Sequence, residues 1–304
     1  IFSSGIFNKK LQKQLNKFLE CKYSFLTSSA TTALWVSLKI LGVKKGDEVI
    51  ISDFSFPATA NVVEDLGAKP IFADVNLDTF NASVSSIEKL ISKKVKAVIF
   101  VDTFGNPSGL DLISDLCSSY NIPLIEDAAC AIGSKINNKM CGSISDITCF
   151  SFHPRKLVCA GEGGAITTNN KEISEILKIK LSHGGVKNNR LLKEFETFGY
   201  NFRLSELQCA MSLVQLKKLK DLIKSRLEVK NQYTKRLDFY GFKPQKINEN
   251  VKTNFQTIVF KVPKNIKRNK LIYFLREKNI ETTIGTYSLS NIKYYKDKYK
   301  TKNK

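Results

Sequence analysis

Short apolar runs alternate with helix-patterned stretches through much of the chain, and this alternation leaves few architectures open. Residues 69–74, 95–101 and 123–127 are near-continuous apolar runs too short for helices and read as buried strands. Residues 85–92 and 111–120 between them carry helical patterning. The same rhythm holds at 23–27 followed by 30–41, at 46–52 followed by a helix opened by 54–61, and at 147–152, 162–168 and 172–182. Strands separated by helices need crossover connections, which predicts an α/β chain with a largely parallel sheet. Ligands bind such sheets where the parallel strands end.

Three polar features fall at predicted strand ends. The run Ile122-Pro-Leu-Ile-Glu-Asp127 closes a strand with two carboxylates. Thr27-Ser-Ser-Ala-Thr-Thr-Ala-Leu34 joins a strand to a helix start, where free N–H groups and hydroxyls form a phosphate cradle. Ordinary N-capping is the plainer use of Ser28, Ser29 and Thr31. Phe150-Ser-Phe-His-Pro-Arg-Lys156 leads into Ala160-Gly-Glu-Gly-Gly-Ala165, a lysine followed by a flexible glycine run. In a chain with 48 Lys and Arg a single lysine reads first as a solvated charge. Set beside an acid and a phosphate cradle, it reads as a nucleophile. The three together fit pyridoxal 5'-phosphate: the amine condenses with the aldehyde, the acid keeps the pyridine nitrogen protonated, and the helix start neutralises the phosphate.

These motifs, in this order and over nearly the whole chain, resemble the DegT/DnrJ/EryC1/StrS family of pyridoxal-phosphate-dependent sugar aminotransferases. The resemblance implies a fold-type I transferase, aspartate-aminotransferase-like: a large, mixed and mostly parallel sheet domain over 1–238, including an N-terminal helix and a long bridging helix, then a small α/β domain over 239–304. It implies a homodimer with shared sites. Lys156 matches the cofactor lysine and Asp127 the pyridine partner. Ser151 and the helix start at Ala30 and Thr31 match the phosphate site, and Phe56 matches a flat aromatic stacked on the ring. Asn201 matches a residue reaching the partner's phosphate, and Arg203 one near the partner's substrate. Without the resemblance, Phe56 reads as core, and Asn201 and Arg203 equally as a helix-start pair. Ala30 stands where the family usually has Gly, and Cys130 where Gln or His is common, which bears on a contact to the cofactor's phenolic oxygen. His153 reads as a structural imidazole. The loop 103–108 matches an active-site floor without a catalytic role, and 280–289 a segment returning toward substrate. Ser3-Ser-Gly-Ile-Phe matches the family's opening segment; family members start earlier and run on further, which implies segments beyond both ends.

The implied activity is transamination of a nucleotide-linked keto-sugar with glutamate as donor, for amino-sugar biosynthesis. One alternative on the same scaffold is sugar dehydration or deoxygenation, for which family members usually carry His where Lys156 stands. Another is a non-catalytic basic binding protein. The formal charge of +20 is mostly lysine and densest over 293–304, which reads as solvated surface with attraction for anionic nucleotide sugars. No helix-turn-helix or RNA-binding motif supports a nucleic-acid partner. Seven cysteines without a Cys-x-x-Cys pair and only two histidines indicate neither zinc nor a disulfide framework. Cys141, Cys149 and Cys159 read as packing residues. There is no apolar run of about 18 residues and no signal-peptide pattern, so a cytoplasmic protein away from membranes is expected. Residues 8–20 predict a helix with Leu11, Leu15, Phe18 and Leu19 on one stripe. Residues 204–238 predict a long helix buried along Leu207, Met211, Val214, Leu216, Leu219, Leu222 and Ile223; a mobile polar loop is expected before 198, a strand at 256–262 and a helix at 269–278.

Overall fold

The computed structural model describes residues 5–187 and 193–300; Ser3 and Ser4 of the opening segment and the last four residues of the basic tail lie outside the described residues. The central sheet has seven strands: β1 (Tyr23–Thr27), β2 (Glu48–Ser52), β3 (Lys69–Ala73), β4 (Val95–Val101), β5 (Leu124–Asp127), β6 (Ile147–Ser151) and β7 (Gly164–Thr168). Their order is β1-β7-β6-β5-β4-β2-β3. The run from β3 to β6 is parallel, whereas β7 lies antiparallel to both β6 and β1.

The helices are α1 (Ile6–Leu19), α2 (Ala30–Ile40), α3 (Ala58–Asp65), α4 (Val84–Glu88), α5 (Leu110–Ser119), α6 (Lys171–Lys180), α7 (Glu206–Leu237), α8 (Arg268–Glu277) and α9 (Lys293–Tyr299). Strand side chains alternate between faces. Ile51, Ile99, Ile125, Cys149 and Ile166 pack with α2, α3 and α6. On the opposite face Phe150 and Ala165 pack with α1 and α7, and Ile50, Val98 and Leu124 with α5. Both faces are covered, as a parallel sheet requires.

On α1 the expected stripe is buried at Leu11, Leu15 and Leu19. The α7 stripe is a correction. Leu216 and Leu219 are buried, but Leu207, Met211 and Val214 are 69%, 50% and 52% exposed. The buried face runs through Cys209, Ser212, Leu216 and Leu219 instead. Small side chains there allow close approach, and a pattern drawn through the largest apolar residues misses them.

Three further expectations change. The strand placed at 256–262 is only Phe260–Lys261, paired with Lys243–Pro244, because Asn254 and Gln256 are buried and bonded elsewhere. In the segment expected as a polar loop, Gly185–Lys187 pairs with Lys193–Phe195. The basic tail contains α9, whose Tyr295 is buried with its ring 5.6 Å from that of Phe72. Lys298 and Tyr299 bond to Glu64 of α3, and Tyr295 to Asn61. Lysine-rich composition therefore hid a helix anchored by tyrosines.

Glu206, at the start of α7, ties α1 to it. Its carboxylate accepts the N–H groups of Gly5 (2.8 Å), Phe7 (2.8 Å) and Asn8 (2.9 Å), the free donors of the first α1 turn. Burial acts to raise the carboxyl's pKa, but the three N–H bonds outweigh it and hold it below the ordinary glutamate value. A depressed folded pKa stabilises above the unfolded value, about 4.3, and that contribution is lost as pH falls through the folded value. Glu206→Gln should cost about 1 kcal/mol at pH 7. Thermal melts at descending pH should show the gap from wild type closing toward pH 3; a gap indifferent to pH would exclude a role for the charge.

Candidate active site

The register of β1, β7 and β6 sets Thr27, Gly164 and Ser151 in one row across the sheet edge. A side chain at 164 could not be accommodated: a Cβ there would lie 2.6 and 2.7 Å from the Ser29 carbonyl and 2.7 Å from the Phe150 oxygen. Glycine thus brings the start of α2 against β7. Ser29 caps α2, its hydroxyl taking the Thr32 N–H at 3.1 Å while the Thr32 hydroxyl takes the Ser29 N–H at 3.1 Å. The N–H groups of Ala30 and Thr31, in the same first turn, have no intrahelical acceptor. Ala30 is half-buried and Thr31 exposed.

Ser151 ends β6, buried, with its hydroxyl accepting the His153 N–H at 3.3 Å. The chain then folds back: Phe152 N–H reaches Gly163 O (2.8 Å) and Ala160 N–H reaches Phe152 O (2.9 Å). Lys156 sits within this returning loop, half-buried, its Nζ donating to Cys130 Sγ at 3.0 Å. His153 Nδ1 accepts the Arg155 N–H at 3.2 Å within the same turn.

Asp127 ends β5, three residues before Cys130. Its Oδ2 accepts the Thr59 hydroxyl at 2.9 Å and its Oδ1 the Ala129 N–H at 3.2 Å; Thr59 in turn lies 2.9 Å from the Ser55 hydroxyl. Burial pushes the Asp127 carboxyl above the ordinary aspartate value, and Thr59, the Ala129 N–H and the positive charge of Lys156 pull it back. A carboxylate in this position gains from a cationic N–H donor.

Phe56 is 65% exposed at the mouth of the site. Tyr287 lies beside it, ring centroids 6.5 Å apart, because Tyr287–Ser288 pairs with Phe54–Ser55. Asp53 fixes that return, accepting the Ser288 hydroxyl (2.9 Å), the Ser290 N–H (2.7 Å) and the Ser290 hydroxyl (2.9 Å). Asn201 and Arg203 bond to each other, Nε to Oδ1 at 2.7 Å, rather than to the groups around Lys156. Their segment is held beside α2 by the Ser28 N–H to Phe202 O bond (3.0 Å) and by Tyr200 and Phe202, stacked at 5.1 Å and packed on Trp35. Thr59 is a site residue that sequence reasoning missed. A threonine in a helix looks like filler, and its spacing of four from Ser55 was the only local signal.

With this geometry in place, a model of the DegT/DnrJ/EryC1/StrS aminotransferase family matches residues 1–304. The chain belongs to this family. It is 32% identical over 294 residues to GDP-perosamine synthase of Escherichia coli, covering 95% of this chain and 79% of that protein. It is 36% identical over 241 residues to UDP-4-amino-4,6-dideoxy-N-acetyl-beta-L-altrosamine transaminase of Campylobacter jejuni, covering 78% and 64%. The PLP-form of a putative sugar aminotransferase from Streptococcus pneumoniae superposes with a TM-score of 0.88 at 26% identity, covering 97% of this chain and 81% of that one. The expected α/β transferase fold and aminotransferase class are thereby borne out, and family membership implies pyridoxal phosphate. No helix of the described residues is long and apolar enough to cross a membrane.

Next to Asp127 in the chain, Glu126 meets Asp102 and Cys141, all buried, with side-chain O and S atoms within 4.8 Å of one another. Glu126 Oε2 accepts the Thr148 hydroxyl (2.7 Å) and the Gly142 N–H (3.2 Å), while the Asp102 oxygens find no donor in the surrounding protein. Burial, then the adjacent Glu126 charge, raises Asp102 well above its usual pKa, and burial raises Glu126 also. A proton held on this pair would relieve the repulsion between the two carboxyls. For a raised folded pKa the stabilisation is complete below the unfolded value of about 3.9 and is lost as pH rises through the folded one. Wild-type melting temperature should therefore decline toward alkaline pH more steeply than that of Asp102→Asn; parallel slopes in calorimetry would rule out the shared proton.

Proposed function

We propose that the chain transfers an amino group from an amino acid, glutamate, to a keto-sugar carried on a nucleotide, for amino-sugar biosynthesis. The observation that carries this reading is the meeting of the Lys156 amine, the buried Asp127 carboxylate and the open first turn of α2 on one sheet edge. Relatives named for GDP- and UDP-linked sugars support the acceptor class, and the positive charge of the chain favours anionic substrates.

Pyridoxal phosphate fits the residues present. The first-turn N–H groups of Ala30 and Thr31 and the Ser151 hydroxyl would hold its phosphate, the Asp127 carboxylate its pyridine N–H, the Phe56 ring one flat face, and the Lys156 amine its aldehyde carbon. When bound, the cofactor supplies an aldehyde that takes up the amino group and a ring that accepts the electron pair left by a departing α-proton. Asp127 would keep the pyridine nitrogen protonated: burial makes its carboxylate costly, and a cationic N–H donor would offset that cost. Lys156 would hold the aldehyde carbon and, once free of it, would be placed to move a proton on Nζ at the reacting carbon. A lysine here favours amino transfer over dehydration. We take residues 1–238 as the part that carries the cofactor site and 239–304 as a smaller C-terminal part packed on it through Val251, Leu289 and Tyr295. In the cytosolic homodimer we propose, the exposed Asn201 reaches the partner's phosphate and Arg203 the partner's substrate.

Absorbance of the purified protein with added cofactor, before and after excess glutamate, tests the first half-reaction: a band near the visible edge should appear and then be lost, and a spectrum indifferent to both additions would overturn the reading. Lys156→Ala should keep the fold and lower turnover by more than about 10³-fold; near-wild-type rates would remove Lys156 from the mechanism. Asn201→Ala should weaken cofactor retention by about tenfold in equilibrium dialysis, and unchanged retention would cancel its phosphate role.

A further inference from the structure

The loop that carries Lys156 is irregular backbone at the edge of a buried core, and its main-chain groups need partners. Two come from a segment a hundred residues away. The Leu157 N–H donates to Gln256 Oε1 at 2.9 Å, and Gln256 Nε2 donates to Arg155 O at 2.7 Å. One side-chain amide therefore grips the main chain immediately before and after Lys156, and that side chain belongs to a buried residue.

The grip is itself fixed. Asn254, fully buried, donates both Nδ2 protons to the other loop of the site, to Cys130 O at 2.8 Å and Ile132 O at 2.9 Å, and its Oδ1 accepts the Gln256 N–H at 2.8 Å. Arg226 of α7 holds the same segment from outside, Nε to Phe255 O at 2.6 Å and a terminal nitrogen to Gln256 O at 2.8 Å. Phe255 between them has φ +52°, the left-handed region that a phenylalanine adopts only when its surroundings dictate it.

We propose that Gln256 is a positioning residue for Lys156: with Asn254 it clips the Lys156 loop to the Asp127–Cys130 loop and so sets where the amine stands relative to the carboxylate. The inference rests on Lys156 being the cofactor lysine. Gln256 touches no reacting atom. Its side chain must supply one acceptor and one donor at once, which an amide does and a carboxylate does only by half.

The test separates the two ideas. Reduction of the cofactor-loaded wild type with borohydride, followed by peptide mapping, reads the lysine assignment alone; a label elsewhere than Lys156 overturns that reading whatever Gln256 does. Hydrogen exchange of the cofactor-free protein reads the clip alone. Gln256→Leu should raise exchange across residues 153–158 by at least about tenfold. Gln256→Glu, which keeps the acceptor for Leu157 and loses the donor to Arg155 O, should give an intermediate rise and guards against a Leu variant that fails to fold. In the loaded enzyme both variants should lower kcat by about 10–100-fold, Glu less than Leu, with KM for the sugar substrate within about twofold of wild type. Unchanged exchange at 153–158, or a loss confined to KM, would overturn the positioning role.

Discussion

A hydrogen atom in place of a side chain at position 164 is what lets the site exist. The antiparallel strand β7 is wedged between β1 and β6, and its first residue stands between Thr27 and Ser151. Any Cβ at Gly164 would press into the Ser29 carbonyl and the Phe150 oxygen, forcing α2 off the sheet. The first-turn donors of α2 and the Ser151 hydroxyl are brought to one edge only because that approach is allowed. Parallel strands β5 and β6 then deliver Asp127 and the Lys156 loop to the same edge, since parallel strands end together.

Charge is arranged in two layers below that edge. Asp127 lies in the upper layer, where a hydroxyl, an N–H and the Lys156 charge offset part of its desolvation and a cationic donor would offset more. Asp102 and Glu126 lie in the lower layer, where burial and mutual repulsion favour a proton held on the pair. A lower layer with both carboxylates ionised would weaken the hold of Asp127 on its own charge. One proton on the pair leaves a single negative charge beneath Asp127 instead of two.

What could be read from the sequence divides along the range of the interactions. The alternation of strands and helices, the acid closing β5, the capped start of α2 and the lysine after β6 are all written within a few neighbouring residues, and the structure places each where local pattern puts it. Thr59 bonds to a residue 68 positions away, and its only local sign is the spacing of four from Ser55. Apolar patterning found the buried Leu216 and Leu219 of α7 but misplaced the first half of the stripe, where Cys209 and Ser212 do the packing expected of Leu207, Met211 and Val214. In α9 the lysines dominated the composition, while Tyr295 and Tyr299, with Lys298, made the contacts to α3. Asn254 and Gln256 fell inside or beside an expected strand for the same reason: their hydrogen bonds run to loops more than 95 residues distant.

The segment 253–256 shows why an active-site loop can be both irregular and fixed. Regular strands satisfy their own main-chain groups, whereas a loop that must present Lys156 cannot. Side-chain amides solve this because one planar group carries a donor and an acceptor. Gln256 uses both on the residues flanking Lys156, and Asn254 uses its two protons and its oxygen on Cys130, Ile132 and Gln256. Thr253 and Ser134 both donate to Gly105 O, at 2.8 and 2.6 Å, so the turn after β4 joins the same network. Gly105 must be glycine there, at φ +93° and with a Cβ that would overlap Asn254 Oδ1. Three loops from three strand ends are thus held by a few amides and hydroxyls contributed from beyond the sheet. The irregular backbone is held by partners distant in sequence, and the position of the amine follows from theirs.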